Sequence, residues 1–324
     1  MKHRSFLLTL ALCALVTASS CRLPGDDSAG DDDSAGDDDS AGDDDSAGDD
    51  DSAGDDDTAG PVQLFDAHIH FKPGESPTEF LAMADGAGLL GLAVLGPRTA
   101  APLLAIRPDS IVPFLFPREG ISGLVAEVSE GLAAGARGIG ELSIRHFPAG
   151  MNPQGVDMPA DLPALLEVYD LAAGAGVPIT VHLDYEEGDM DSFDTALEHN
   201  RDTIFIWAHS GDAPPEVVGS FLDQHPNLHA DLSCRNPFYL PRHTFTEEQS
   251  SIAELDRVSL RADWQLVLEE HSDRFLFGTD IGPGDRDSQI NEVVPWYQDM
   301  LGQLDREHAE AIANGNARRL FALD

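Results

Sequence analysis

The chain has 324 residues and a formal net charge of −40 at pH 7. Residues 25–60 repeat the hexapeptide Gly-Asp-Asp-Asp-Ser-Ala about six times, with 17 Asp and no Lys or Arg. Leaving out this repeat and the three basic residues that precede it, 42 acidic and 16 basic residues remain, a net charge near −26. So acidic a surface excludes electrostatic capture of nucleic acid.

The N-terminus has the pattern of an export signal. Three basic or titratable residues (2–4) precede an apolar run over 6–16, which is too short to span a membrane and is typical of a secretory signal peptide. The small residues 18–20 before Cys21 resemble the lipobox of bacterial lipoproteins, which implies cleavage before Cys21 and its lipidation. Arg22 stands where an Asp would favour retention in the inner membrane, so the outer membrane is expected. An ordinary signal peptide is the alternative.

The acidic repeat is predicted to be a disordered spacer. It has no large apolar side chain to bury, and its like charges extend the chain. A weak calcium-binding tract is the alternative, but the spacing does not match an EF-hand loop. The expected organisation is therefore a signal peptide (1–20), a lipidated cysteine with a disordered linker (21–60), and one folded domain (61–324).

The folded domain alternates apolar, strand-like runs with amphipathic helical stretches. Strands are predicted near 63–70, 89–95, 111–116, 136–143, 178–184, 203–209, 228–233 and 274–279. Helices are predicted at 76–87, 98–107, 121–134, 160–175, 191–200, 214–224, 255–271, 288–303 and 305–315. Eight strands each followed by a helix indicate an α/β fold of the (β/α)8 TIM-barrel type. A doubly wound open sheet is less favoured, because no Gly-x-Gly-x-x-Gly turn follows the first strand.

Histidines and carboxylates stand where five of these apolar strands end. In a (β/α)8 barrel the C-terminal ends of the strands form the active-site rim, so these side chains should converge. Imidazoles and carboxylates, with no thiolate among them, are ligands for zinc and also for manganese, iron or cobalt. The candidate residues are His68, His70, Glu141, His182, His209 and Asp280.

The motifs around these residues resemble the metal-dependent amidohydrolase superfamily over residues 62–322. They are Asp66-Ala-His-Ile-His70, His182, Ala208-His-Ser-Gly, Gly278-Thr-Asp280 and Gly315-Asn-Ala-Arg-Arg-Leu-Phe321. The last resembles the closing helix of the amidohydrolase-related branch, which includes decarboxylases and lactonases. Glu141 departs from that branch and is similar to the bridging Glu of TatD-like nucleases.

The resemblance implies one or two divalent ions, with zinc expected. With two ions, His68, His70 and Asp280 hold one, His182 and His209 hold the other, and Glu141 bridges them. With one ion, His68, His70, His182 and Asp280 bind it, and His209 contacts the attacking water or the substrate. Asp280 and His209 are the expected catalytic residues, with Asp280 carrying the proton from the water to the leaving group.

Other assignments are open at several positions. Glu141 could form an ion pair with Arg145 or Arg137 instead of holding metal. Asp66 is expected to orient its neighbours and not to bind an ion. Trp207, two residues before His209, is expected to point into the barrel as a core residue. The candidate substrate-binding residues are Arg145, His146 and Arg235.

The expected function is hydrolysis of a small-molecule amide, ester or lactone outside the cytoplasm. The alternatives are a metal-dependent decarboxylase, a TatD-like phosphodiesterase and a metal-binding surface protein without catalysis. The expected partners are a small-molecule substrate and, through the lipid anchor alone, a membrane of the bacterial envelope; no nucleic acid is expected. The sequence leaves the oligomeric state open.

Overall fold

The structure, a computed structural model, describes residues 60–96, 100–148, 154–238, 251–282 and 286–323. The predicted signal peptide, the lipidation site Cys21 and nearly all of the acidic linker lie outside the described residues. Within the described ranges, no helix has both the length and the apolar character needed to cross a membrane.

Eight parallel strands form the centre of the domain. With one short antiparallel strand, the described strands are β1 (Phe65–His70), β2 (Gly91–Gly96), β3 (Ile111–Leu115), β4 (Gly138–His146), β5 (Val156–Asp157), β6 (Ile179–Leu183), β7 (Phe205–Trp207), β8 (Leu228–Asp231) and β9 (Phe275–Leu276). The parallel strands follow the order β1-β2-β3-β4-β6-β7-β8-β9, and the short β5 pairs with β4 in antiparallel orientation. Every residue of β2, β3 and β6 is buried, as expected for strands covered on both faces.

The sheet curves until its ends meet. The backbone N–H of Ala67 donates to the carbonyl of Phe277 at 2.9 Å, and that of His70 donates to the carbonyl of Ile281 at 2.7 Å. Strand β1 therefore bonds to the chain that leaves β9. This closure confirms the predicted (β/α)8 barrel.

Helices surround the strands. They are α1 (Pro77–Gly86), α2 (Ala101–Leu104), α3 (Leu124–Ala133), α4 (Pro163–Ala175), α5 (Asp191–His199), α6 (Pro215–Gln224), α7 (Ala262–Glu270), α8 (Ile290–Leu301), α9 (Arg306–Glu310) and α10 (Asn316–Leu320). Proline begins α1, α4 and α6, where its missing N–H has no intrahelical partner to lose. After α10, the Phe321 ring packs against Phe65 and Phe114 inside the barrel, at centroid distances of 5.8 and 5.6 Å.

Several predicted elements have different bounds in the structure; for example, the strands expected over 203–209 and 274–279 are shorter, Phe205–Trp207 and Phe275–Leu276. The helix expected over 255–271 begins at Ala262, because the Asp256 carboxylate accepts hydrogen bonds from the backbone N–H groups of Val258 and Ser259 and holds a turn there. The strand expected over 136–143 continues to His146, because β5 pairs with its last residues. The helix expected over 305–315 is α9 followed by a π-helical turn, Ala311–Gly315.

Candidate metal centre

The six residues predicted from the strand ends lie together at the C-terminal end of the barrel. Their side chains are between 0% and 11% exposed, so the cluster is buried. The parallel strands bring them together: His68 and His70 lie in β1, Glu141 in β4 and His182 in β6, whereas His209 and Asp280 lie in the segments that follow β7 and β9. They form two groups of three.

The first group consists of His68, His70 and Asp280. His70 Nε2 donates to Asp280 Oδ1 at 3.0 Å, and His68 Nε2 lies 3.7 Å from the same oxygen. The His68 and His70 rings are 5.3 Å apart between centroids. Two imidazoles and one carboxylate thus face a common point.

The second group consists of Glu141, His182 and His209. His182 Nδ1 donates to Glu141 Oε1 at 2.6 Å, and His209 Nε2 lies 3.3 Å from the same oxygen. The other carboxylate oxygen, Glu141 Oε2, faces the first group, 3.9 Å from His68 Nε2 and 3.8 Å from His70 Nε2. Glu141 therefore extends one oxygen toward each group.

Neither arginine forms the ion pair with Glu141 that the sequence left open. Arg145 is paired with Asp157 and Asp189, at 3.2 and 2.7 Å. Arg137 donates to the carbonyl of Phe321.

The electrostatics of the cluster favour ionised carboxylates. Burial alone would raise the pKa of Glu141, but His182, His209 and His68 outweigh it and hold that pKa well below its usual value. Burial also opposes ionisation of Asp280, yet the hydrogen bond from His70 and the charges of the nearby histidines lower its pKa. Conversely, burial would lower the pKa of His182, but Glu141 and Asp184 raise it to about 10.

A supporting carboxylate, Asp231 at the end of β8, escaped the sequence reasoning. The Nδ1–H of His68 donates to Asp231 Oδ2 at 2.9 Å, which turns Nε2 of that ring toward the first group. The other oxygen accepts from the backbone N–H of His209 at 2.9 Å and of Ser233 at 3.0 Å. Ser233 Oγ in turn accepts from His209 Nδ1 at 2.7 Å, so Asp231 and Ser233 orient one histidine in each group. Asp231 is the last residue of β8, and a carboxylate at the end of a buried strand is the same signal that identified the other candidates.

The turn after β7 aims His209 into the cluster. His209, Ser210, Gly211 and Asp212 have φ values of 57°, 49°, 63° and 51°, so four consecutive residues have the positive φ of the left-handed region. In this turn, successive side chains no longer point to opposite faces of the sheet, as they do in β7. The prediction that Trp207 points into the barrel is therefore wrong: its ring packs against Phe193 on α5, at 5.3 Å, although it is a core residue as expected.

Asp66 lies beneath the cluster as a hydrogen-bond acceptor. It accepts from the backbone N–H of His68 at 3.0 Å and from the N–H and hydroxyl of Thr279 at 3.0 and 2.6 Å. These bonds tie β1 to the segment that carries Asp280. Burial raises the pKa of Asp66 to about 7. The placement agrees with the expected orienting role.

The three candidate substrate-binding residues lie in different surroundings. His146 is half-buried, and its ring stacks on His182 at 4.2 Å with 9° between the planes, which places it beside the second group. Arg145 is 4% exposed and held by the two aspartates already named. Arg235 is fully buried, with its guanidinium 4.7 Å from the centre of the Trp264 ring. Substrate binding stays a prediction for all three, and for the arginines it requires these contacts to open.

The donor set fits divalent metal. Within each group the candidate ligand atoms lie within 4.8 Å of one another. His68 Nε2 is buried and has no hydrogen-bond partner among the described residues, although it faces two carboxylates at 3.7 and 3.9 Å. A buried nitrogen without a partner is costly, and a metal ion at this point would satisfy it. The residues present can therefore hold one or two ions.

A (β/α)8 barrel with four histidines and two carboxylates at the C-terminal rim has the architecture of a metal-dependent TIM-barrel enzyme. A family profile described as amidohydrolase matches residues 65–323, and the chain belongs to this family. Comparison with curated protein sequences gives no match.

Several solved structures share the fold. A putative 2-pyrone-4,6-dicarboxylic acid hydrolase from Pseudomonas putida is 15% identical, with 81% of this chain and 98% of that chain covered and a TM-score of 0.56. A 2,6-dihydroxybenzoate decarboxylase from Rhizobium is 15% identical, with 81% and 99% covered and a TM-score of 0.53. A dihydroxybenzoic acid decarboxylase from Polaromonas, with bound manganese, is 13% identical, with 81% and 97% covered and a TM-score of 0.52. At these identities the similarity shows the fold alone.

Proposed function

We propose that the protein is a dinuclear metal-dependent hydrolase that cleaves an amide, ester or lactone bond of a small molecule, with zinc as its metal. The observation that carries the proposal is the position of Glu141. Its two oxygens point to two separate groups of ligands, the arrangement required of a carboxylate that bridges two ions.

Divalent ions bound here would polarise the substrate carbonyl and lower the pKa of the attacking water. The protein supplies the positioning and the proton transfer. Asp280 stays ionised because His70 donates to its Oδ1, so the carboxylate can accept a proton from the water and then give it to the leaving group. His146, whose ring stacks on that of His182, would contact the substrate.

The alternatives have less support. A decarboxylase would be favoured by Arg145 gripping a substrate carboxylate, but Asp157 and Asp189 already hold its guanidinium. A TatD-like phosphodiesterase shares the Glu141 feature, but the net charge near −26 of the folded part opposes the approach of a polyanion.

The reaction class can be tested with the zinc-supplied full-length chain in water enriched in oxygen-18. Aryl esters, lactones and amides form one substrate panel, and aromatic carboxylic acids form another. We expect solvent oxygen in the carboxylate product of the first panel. Asp280→Asn, compared at matched metal content, should lower kcat/KM by about 10²–10⁴-fold, the usual contribution of a general acid–base group. Exposed Asp299→Asn is the matched control and should change nothing.

Release of carbon dioxide, with no solvent oxygen in the product, would show that the reaction is decarboxylation and not hydrolysis. Failure of the metal-loaded chain to turn over either panel would contradict the proposal.

We further propose that the enzyme is anchored in the bacterial envelope through lipidated Cys21, with the acidic repeat as a spacer. The support is the basic start, the apolar run over 6–16 and the small residues before the cysteine. In a bacterial host, the wild type should label with radioactive palmitate and partition with membranes. Cys21→Ser should do neither, and membrane association that persists in this variant would contradict the anchor.

A further inference from the structure

Cys234 is the only cysteine after position 21, and the structure brings its thiol to the metal centre. It lies three residues beyond the end of β8, with a φ of 60°. The Sγ–H group donates to Asp280 Oδ2 at 3.1 Å. No sequence motif links this thiol to Asp280, because the two residues are 46 positions apart.

The thiol belongs to the same cluster as the histidines. The candidate ligand atoms of Cys234, His209 and Asp280 lie within 4.8 Å of one another. Asp280 divides its two oxygens: Oδ1 faces His70 at 3.0 Å, and Oδ2 faces the thiol. The Nδ1 atom of His209 is engaged by Ser233, which leaves Nε2 directed to the centre.

An independent observation points to an ion beside Asp280. His68 Nε2 is fully buried, has no hydrogen-bond partner within the described part of the chain, and lies 3.7 Å from Asp280 Oδ1. The Asp280 carboxylate therefore has an unsatisfied nitrogen near one oxygen and a thiol near the other. Both are metal ligands once the thiol loses its proton.

We propose that Cys234 is a thiolate ligand of the metal centre and that it makes the centre select zinc over manganese. When a divalent ion binds, the S–H bond breaks, the proton leaves to solvent, and sulfur donates its electron pair to the metal without any change of oxidation state. Soft thiolate favours zinc, whereas manganese prefers oxygen ligands. The proposal rests on the metal centre proposed above.

Cobalt(II) is the probe that tests the ligand separately from the reaction. Thiolate bound to cobalt(II) absorbs in the near ultraviolet through sulfur-to-metal charge transfer, and imidazole and carboxylate ligands do not. We expect this band in the cobalt-loaded full-length chain and its loss in Cys234→Ser, which should still bind cobalt through the remaining ligands. Cys21→Ser is the matched control and should keep the band.

One measurement on the wild type keeps the proposal testable if Cys234→Ser folds poorly, and a second applies to the folded variant. In the wild type, saturating zinc should slow alkylation of Cys234, followed by mass spectrometry, by roughly 10-fold or more. In the variant, zinc affinity should fall by roughly 10-fold or more, as it does on loss of a ligand's outer partner. Manganese affinity should change less, because manganese prefers oxygen ligands.

If the wild type binds cobalt without the charge-transfer band, Cys234 is not a ligand, although the metal centre stands. The same conclusion follows if the chain binds zinc and zinc does not slow the alkylation of Cys234. No cobalt or zinc bound at all would instead overturn the centre, and with it the proposed function.

Discussion

Replacing Asp231 with Asn changes the partner of a buried histidine while keeping the shape of the side chain. In the wild type, Asp231 Oδ2 accepts the Nδ1–H of His68 at 2.9 Å, and Oδ1 accepts backbone N–H groups from His209 and Ser233. The Asn oxygen can keep the backbone bonds, but its NH2 group then faces His68 Nδ1. Two donors cannot bond, so the His68 proton must move to Nε2, the atom that faces the metal centre.

The change should weaken metal binding and lower stability. A protonated Nε2 cannot ligate, and loss of such an outer partner lowers metal affinity by about 10–100-fold. In the metal-free chain, replacing a fully buried charge-assisted hydrogen bond should lower the free energy of unfolding by about 1–3 kcal/mol.

Metal affinity is measured by competition with a chromophoric chelator, and stability by urea unfolding of the metal-free chain. Asp170→Asn is the matched control, because Asp170 pairs with His199 at a similar distance, 3.1 Å, but is 53% exposed. We expect the control to change the unfolding free energy by no more than about 0.5 kcal/mol. If Asp231→Asn binds zinc within twofold of the wild type and unfolds like the control, Asp231 does not set the orientation of His68.

Two further predictions concern the scaffold. Gly211 has a φ of 63°, and a Cβ there would overlap the Trp207 indole, so Gly211→Ala should lower the unfolding free energy by about 1–3 kcal/mol. Gly174→Ala, in open space on α4, should instead raise it by up to about 1 kcal/mol, and urea unfolding that ranks the two variants the other way would contradict the strained turn. Burial, reinforced by the charge of Arg274, lowers the pKa of His229 from 6.5 to about 4, so between these values the unfolded chain binds a proton that the folded chain rejects. The unfolding free energy should therefore fall by about 2–3 kcal/mol as the pH drops through this window, and less in His229→Gln; equal losses in both would contradict this assignment.

The barrel and the six rim residues could be predicted from sequence for a physical reason. Buried parallel strands are almost wholly apolar, so a histidine such as His182 at the end of one stands out. The repeating strand–helix order then places all such ends on one rim. The predicted fold therefore brings the candidate residues together, although they come from strands that are far apart in the sequence.

The residues that escaped prediction depend on contacts that no local pattern records. Cys234 lies in a turn with positive φ, and its neighbour Asp280 comes from another strand. The direction of Trp207 was wrong because the strand alternation stops at the left-handed turn that begins at His209. The helix expected from residue 255 begins later because the Asp256 carboxylate accepts hydrogen bonds from the backbone N–H groups of Val258 and Ser259, which hold a turn there.

We propose that Glu141 joins two metal ions, and the most direct test is to count the zinc ions bound by the full-length chain and by Glu141→Ala. Elemental analysis after removal of loosely bound metal counts them, and any zinc held by the acidic repeat contributes equally to both samples. Exposed Glu79→Ala is the matched control. We expect wild type and control to bind two ions in the barrel and Glu141→Ala to bind about one fewer. The same count in all three would contradict the bridge.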